Sequence, residues 1–189
     1  MKDIKSAILL LIALTILLGG IYPAVVTGIA SAVFPKQAGG SFITAQNGQA
    51  VGSALIGQPF SDPKYFWPRP SATSDFGYNP AASGGSNLGP TNPDLIKKVG
   101  DRVRALREAG ISGDVPSDLV MASASGLDPH ITPESATMQI PRVARMRKMT
   151  EEELNNLVAA HTEGRQLGFL GAPRVNVVML NLALDKLAK

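Results

Sequence analysis

The most apolar part of the chain lies near its N-terminus, where Lys2, Asp3 and Lys5 are the only charges before Lys36. Ser6 to Pro35 is therefore an uncharged stretch of about 30 residues, and a bilayer core of roughly 30 Å is crossed by about 20 apolar residues in a helix. A charge at the middle of such a helix costs on the order of 3 kcal/mol, and this stretch holds none. The pattern predicts one transmembrane helix over residues 7–34, preceded by a short segment, residues 1–6. A cleavable leader is the competing reading, with Ala30-Ser31-Ala32 as its small-x-small site. The run from Ala7 to Leu18 continues through Gly19 to Ile29, longer than the roughly 7–15 residues of a leader core, which favours a retained anchor.

Beyond the anchor, residues 35–189 read as one soluble α+β domain. Ser41-Phe42-Ile43-Thr44 and Gln49-Ala50-Val51-Gly52-Ser53 flank Asn47-Gly48, a hairpin signal because both residues tolerate positive φ. Ala54-Leu55-Ile56 extends the second strand until Pro59 ends it. Pro, Gly, Ser and Asn dominate from Asp62 to Pro93, yet Tyr65, Phe66, Trp67, Phe76 and Tyr78 fall within this stretch. Disordered tracts are poor in aromatics, so the segment reads as irregular but packed.

Helical periodicity follows. Asn92 caps a helix beginning at Pro93, with Leu95, Val99, Val103 and Leu106 as its apolar stripe and Gly110 as its stop. Thr132-Pro133 starts a second, which Pro141 kinks or divides. Thr150 and Glu153 form a capping box for a third, burying Leu154, Leu157 and Val158 and ending at Gly164. The last segment carries two patterns. Val175-Asn176-Val177-Val178 fits a strand, while Val177, Leu180, Leu184 and Leu187 fit a helix capped by Asn176, and the longer helical pattern is preferred.

Charge adds a direction. Lys2, Lys5 and the terminal amine oppose Lys36 alone, so the positive-inside rule puts the N-terminus in the cytoplasm and the bulk of the chain outside it, periplasmic if the cell is Gram-negative. The chain contains no cysteine, and its net charge of +3 is too small and scattered to argue for nucleic acid. The anchor has no ionisable group to mark an ion path. It does carry Gly20, Ala24, Gly28 and Ala32 every four positions, a row that lets another helix approach closely, and Pro23 is expected to kink it.

Candidate chemistry is sparse. Ser83-Gly84-Gly85-Ser86-Asn87 could present backbone N–H groups to an anion, but it lacks the Gly-Lys-Ser/Thr ending of a phosphate loop, so a structural turn fits better. Asp128 and His130 resemble a metal-ligand pair; with His161 the only other histidine and no cysteine, a solvated loop pair fits better and no metal ligand is assigned. No nucleophile, base and orienting acid occur at a recognisable spacing, so no catalytic residue is assigned. Arg142, Arg145, Arg147 and Lys148 read as a solvated basic helix face.

Longer words in the sequence are more specific. Gly52-Ser53-Ala54-Leu55-Ile56-Gly57-Gln58 with Phe60, Tyr65-Phe66, Arg69-Pro70-Ser71-Ala72 and Tyr78-Asn79-Pro80 come first. Ala82 to Leu88 with Asn92-Pro93, Ala122 to Asp128, and Ile131-Thr132-Pro133 follow. Gln139, Pro141-Arg142-Val143-Ala144, Val175-Asn176-Val177 and Leu180 to Asp185 complete the series. In this order they resemble the C subunit of the Kdp-type potassium-transporting ATPase from anchor to C-terminus. The resemblance implies a non-catalytic accessory subunit of a high-affinity potassium pump in the inner membrane. Its implied partners are a channel-like potassium-translocating subunit, a P-type ATPase subunit and a small single-helix subunit, besides the lipid bilayer. It also implies a role described as catalytic chaperone, raising ATP affinity, with Gln58 among the proposed nucleotide contacts and ATP reached through the complex. The charge bias opposes that contact by placing Gln58 outside the cytoplasm, where ATP is scarce. Phe60, Arg69, Pro70, Ser71, Tyr78, Asn79, Ser83, Gly84, Gly85, Ser86, Asn87 and Asp128 are the family-motif residues expected at a functional surface. A single-pass extracytoplasmic binder of a solute or polymer, using the aromatics and Arg69, is the alternative from a different class.

Overall fold

The computed structural model describes residues 2–44 and 48–187, and the chain divides into two compact units, Met1–Ser53 and Ala54–Lys189. In the first unit, α1 (Lys2–Ile16), a π-helical turn (Leu17–Ile21) and α2 (Tyr22–Val33) form one apolar helix long enough to cross a membrane. The π turn answers Pro23. Proline has no N–H for the Gly19 carbonyl and its ring would strike it, so the helix widens by one residue and the Tyr22 N–H donates to the Leu17 carbonyl instead. Ala24 and Gly28 share a face of α2, whereas Gly20 falls in the wider turn, so the regular four-residue spacing holds only within α2. Gly19, Gly20 and Ala24 nevertheless border a single shallow groove, and a Cβ on Gly20 or Gly28 would meet nothing within 4 Å.

After a short helix, α3 (Pro35–Ala38), strands β1 (Phe42–Thr44) and β2 (Ala50–Ser53) pair antiparallel with Phe42 opposite Ser53. The strands of the expected hairpin are thus present, while Asn47 lies outside the described residues. β2 does not continue through Ala54-Leu55-Ile56, where the chain turns. At the next residue the Gly57 N–H donates to the Leu127 carbonyl (2.8 Å), which commits the backbone to a distant loop.

The second unit is built from α4 (Pro93–Glu108), β3 (His130–Ile131), α5 (Pro133–Arg147), α6 (Glu151–Ala160), β4 (Thr162–Glu163), β5 (Arg174–Asn176) and α7 (Val177–Leu187). The strands form an antiparallel sheet in the order β3-β5-β4. α5 packs on α6 and β5, and α7 on both of those. Between them lie the fully buried Ile131, Ile140, Leu154, Val175, Leu180 and Leu184. Burying each is worth about 2 kcal/mol by transfer.

Helix starts follow their local chemistry. Asn92 Oδ1 accepts from the Asp94 N–H at 2.8 Å, with Pro93 at the first helical position. Thr150 and Glu153 close the expected capping box, and that bonding holds the Glu153 carboxyl below its ordinary value. α6 stops at Ala160, short of Gly164, because Thr162 and Glu163 are recruited as β4 against Val175 and Arg174. Pro141 does not divide α5. It sits on the exposed side, where water can satisfy the freed Thr137 carbonyl, while Ile140 and Val143 hold the other face in the core. The last segment divides between its two patterns: the strand is Arg174–Asn176 rather than Val175 to Val178, and Asn176 Oδ1 then accepts from the Met179 N–H (3.1 Å) to start the preferred helix, α7.

Candidate functional site

The irregular segment 62–92 is held by side chains rather than by strands. Two buried amides act as surrogate strand partners. Asn181 accepts from the Phe66 N–H and donates to the Phe66 carbonyl, both at 2.9 Å. Gln139 does the same at Trp67, accepting at 2.7 Å and donating at 3.1 Å. The backbone groups of the aromatic stretch are therefore satisfied in the core, as buried peptide groups must be. The basic run is not a solvated face. Arg142 is 3 % exposed, its guanidinium carbon 4.0 Å from the Trp67 ring centroid, and it donates to Gln139 Oε1 and to the Pro63 carbonyl. Burial lowers its pKa to about 10, which leaves it charged at neutral pH. Arg147 stacks on Tyr65 and pairs with Asp185 at 2.6 Å, and Tyr65 Oη donates to the same carboxylate. Only Arg145 and Lys148 remain exposed.

Most family-motif residues meet in a second cluster, where loops 57–60, 69–79, 83–87 and 123–130 converge. Ser71 Oγ donates to the Gly126 carbonyl and accepts from the Tyr78 N–H. Tyr78 is buried and its hydroxyl donates to the Arg69 carbonyl. Burial first, then the Asp128 charge, push its phenol above the ordinary range and keep the donor protonated. Gly57 is required beside it, since a Cβ there would lie 2.3 Å from the Tyr78 ring. Asn79 caps the 3-10 turn Pro80–Ala82, accepting from the Ala81 N–H at 3.0 Å. In the glycine-rich run the Gly84 N–H and Ser83 Oγ both donate to the Ser125 carbonyl, so the run docks on loop 123–126. Gly85 lies against Ala124, Ser86 is half-buried, and Asn87 is exposed at φ 53°. Pro70 is half-buried between Arg69 and Ser71.

Asp128 is no solvated loop residue. It accepts from Arg69 at 3.0 Å and from the backbone N–H of His130 at 3.0 Å, and it lies 3.1 Å from the His130 ring. Partial burial raises its pKa, but the His130 hydrogen bonds and the Arg69 charge outweigh that and leave it below the ordinary carboxylate value. A folded-state pKa below the unfolded one contributes stability that is complete above about pH 4 and lost as pH falls through the lower value. Thermal midpoints measured from pH 2 to pH 6 should therefore fall less steeply for Asp128→Asn than for the parent chain.

Beside this ion pair is a cleft of about 290 Å³ bordered by Arg69, Asp118, Asp128, His130, Thr132 and Arg174. Its second carboxylate is also engaged. Asp118 accepts from the Thr132 N–H (2.7 Å) and Ser135 Oγ (2.5 Å), which fixes the start of α5. Among the described residues no group of three or more His, Cys, Asp or Glu side chains could hold a metal ion. Gln58 is half-buried beside Gly57, and its carbonyl accepts from the Phe60 N–H (3.1 Å). Phe60 in turn packs on Tyr65 with centroids 5.2 Å apart.

The functional roles of Gln139, Arg142 and Asn181 are not assigned by local pattern. Their signal is a polar side chain within the apolar stripe of an amphipathic helix, a placement tolerated only with partners.

One apolar helix long enough to cross a membrane, followed by an α+β unit whose loops are tied together by polar motif residues, is the architecture that the described residues define. The family KdpC, described as the K+-transporting ATPase, c chain, matches residues 4–186, and the chain belongs to this family. It is 70 % identical over 189 residues, the whole of both chains, to the potassium-transporting ATPase KdpC subunit of Geotalea uraniireducens. It is 71 % identical over 187 residues to that of Geobacter sulfurreducens, covering 99 % of each chain. With the subunit of Burkholderia vietnamiensis it shares 58 % identity over 184 residues, 96 % of this chain and 95 % of the relative.

Proposed function

We propose that this chain is the accessory, non-catalytic subunit of an ATP-driven potassium uptake pump in the cytoplasmic membrane. The observation that carries this reading is the end-to-end match to proteins named as KdpC subunits of the potassium-transporting ATPase. Its anchor packs on the potassium-translocating subunit through the groove at Gly20 and Ala24 and the open face at Gly28, and its outer domain stabilises assembly with the ATP-hydrolysing and small single-helix subunits. Supporting this, the anchor offers unfilled space at those positions and no charge with which to conduct an ion. The boundaries 1–6, 7–34 and 35–189 are proposed as cytoplasmic, spanning and extracytoplasmic. The test is to replace Gly20, Ala24 and Gly28 with leucine together in the full-length chain, co-expressed with the other subunits. Leucine bulk on a close-packed face should reduce co-purification at least roughly tenfold, and undiminished recovery would reject the packing.

Orientation decides the nucleotide question. A contact between Gln58 and ATP requires the outer domain to face the cytoplasm, whereas the flanking lysines favour the opposite. Because the chain has no cysteine, Ser112→Cys introduces a single exposed thiol. We expect it to react with a membrane-impermeant thiol reagent in intact spheroplasts. Protection until lysis would reverse the orientation and restore Gln58 as a nucleotide contact.

A further inference from the structure

Arg142 places a charge in the core without a countercharge. It forms no ion pair among the described residues, and its acceptors, the Pro63 carbonyl and Gln139 Oε1, are both neutral. Its Nε is buried with no hydrogen-bond partner among the described residues. A cation buried among neutral dipoles gives up hydration that they replace only in part, and the Trp67 ring face offsets some of that cost. The one carboxylate on the segment above it, Asp62, is occupied by Lys64, accepting from its backbone N–H at 3.0 Å and pairing with its ammonium at 3.2 Å.

Residues 62–67, which cover Arg142, form a strap bonded within itself. The Tyr65 N–H and the Trp67 indole N–H both donate to the Asp62 carbonyl at 3.1 Å. The strap's hydrogen bonds to the helices beneath all use helix side chains, Gln139, Arg142 and Arg147 of α5 and Asn181 and Asp185 of α7. Among the described residues no main-chain to main-chain bond joins it to another element. Phe66 is its one buried residue, whereas Ile140, Leu154, Val175, Leu180 and Leu184 belong to the helices and sheet below.

We propose that residues 62–67 open as one unit while α5, α6 and α7 stay folded, and that the uncompensated charge of Arg142 beneath them sets how often they open. Closed, the strap keeps water and anions from the guanidinium. Open, it hydrates Arg142 and vacates the slot that Phe66 fills. The loop keeps its own bonds to the Asp62 carbonyl, so it lifts rather than unravels. Opening is local because the packing of α5, α6, α7 and the sheet does not run through the strap, and such openings lie below global unfolding in free energy. The strap is thus a conformational device that controls when a cation of the core reaches solvent.

The test is amide hydrogen exchange on the full-length chain in detergent micelles. Protection at Phe66 and Trp67 should be roughly tenfold or more below that at Val143 and Leu184, and should depend only weakly on denaturant. Equal protection at all four amides would overturn the strap. Arg142→Met then tests the charge. It strands no buried group, because Gln139 Oε1 keeps the Trp67 N–H and Pro63 is exposed to water. Protection at Phe66 and Trp67 should rise roughly tenfold relative to Val143, since opening no longer hydrates a buried cation. Acrylamide quenching of Trp67, the one tryptophan of the chain, should fall in parallel. Relative protection that is unchanged or lower would overturn the role of Arg142. Failure of Arg142→Met to fold would overturn it too, because the charge would then be holding the core together instead of loosening its cover.

Discussion

Asn181→Ala is expected to lower the stability of the chain by about 2–5 kcal/mol, because one truncation strands both peptide groups of a fully buried residue. The Phe66 N–H and carbonyl each lose their Asn181 partner, and the Phe66 side chain is 0 % exposed, so water cannot replace either bond without opening the core. For a chain of this size each kcal/mol moves the thermal midpoint by about 3 °C, so a drop of roughly 6–15 °C is the outcome to look for by calorimetry or circular dichroism. The site of the damage is also specified. Hydrogen exchange at the Phe66 amide should approach the rate of the exposed loops, while the amides of α6 lose only the protection that a lower global stability removes. A loss below 1 kcal/mol would mean that the aromatic segment is held by its packing and that the amide clamp is incidental.

That clamp also marks the boundary of what the sequence made legible. The long apolar helix, the Asn92 cap and the Thr150–Glu153 box were readable because their signals lie in contiguous or nearly contiguous residues. Strands β3 and β4 were not, since each has only two residues and gains its identity from pairing with β5, which for β3 lies far along the chain. The same distance explains the basic run. Arg142 and Arg147 look like solvent-facing charges until Trp67 and Tyr65, supplied by an irregular segment some 75–80 residues earlier, are folded over them. For the candidate site, the residues were legible from family resemblance, but their job was not. Ser71, Tyr78, Asn79 and Ser83 were expected at a functional surface, and the structure shows Tyr78 bonded to Ser71, Asn79 to Thr73, and Ser71 and Ser83 to loop 123–126. Spacing cannot reveal a purely through-space arrangement of this kind. The arrangement does suggest why the chain carries so many fixed polar residues: a domain with little sheet must hold its loops by side-chain bonds.

Gly126→Ala tests whether that loop cluster is one mechanical unit. Gly126 has φ +68°, and a Cβ on it would lie 2.6 Å from Thr73 Cγ2 and 2.7 Å from the Gly84 carbonyl oxygen. The left-handed backbone costs about 1 kcal/mol for an L-residue, and overpacking against backbone costs about 1–3 kcal/mol more. The expected total is about 2–4 kcal/mol. Gly113→Ala isolates the first contribution, because Gly113 has φ +89° with nothing within 4 Å of the added Cβ, so it should cost about 1 kcal/mol. The excess at Gly126 has a direction as well as a size. Moving the Gly84 carbonyl drags the run that donates to Ser125, and moving Gly126 pulls its carbonyl from Ser71, which in turn receives the Tyr78 N–H. Amide exchange at Gly84 and Tyr78 should therefore rise together in Gly126→Ala and stay unchanged relative to global stability in Gly113→Ala. Protection lost at Gly84 but kept at Tyr78 would show that the glycine-rich run is an independent flap. A joint loss would mean that its position is set through Ser71 by the same bonds that bury Tyr78.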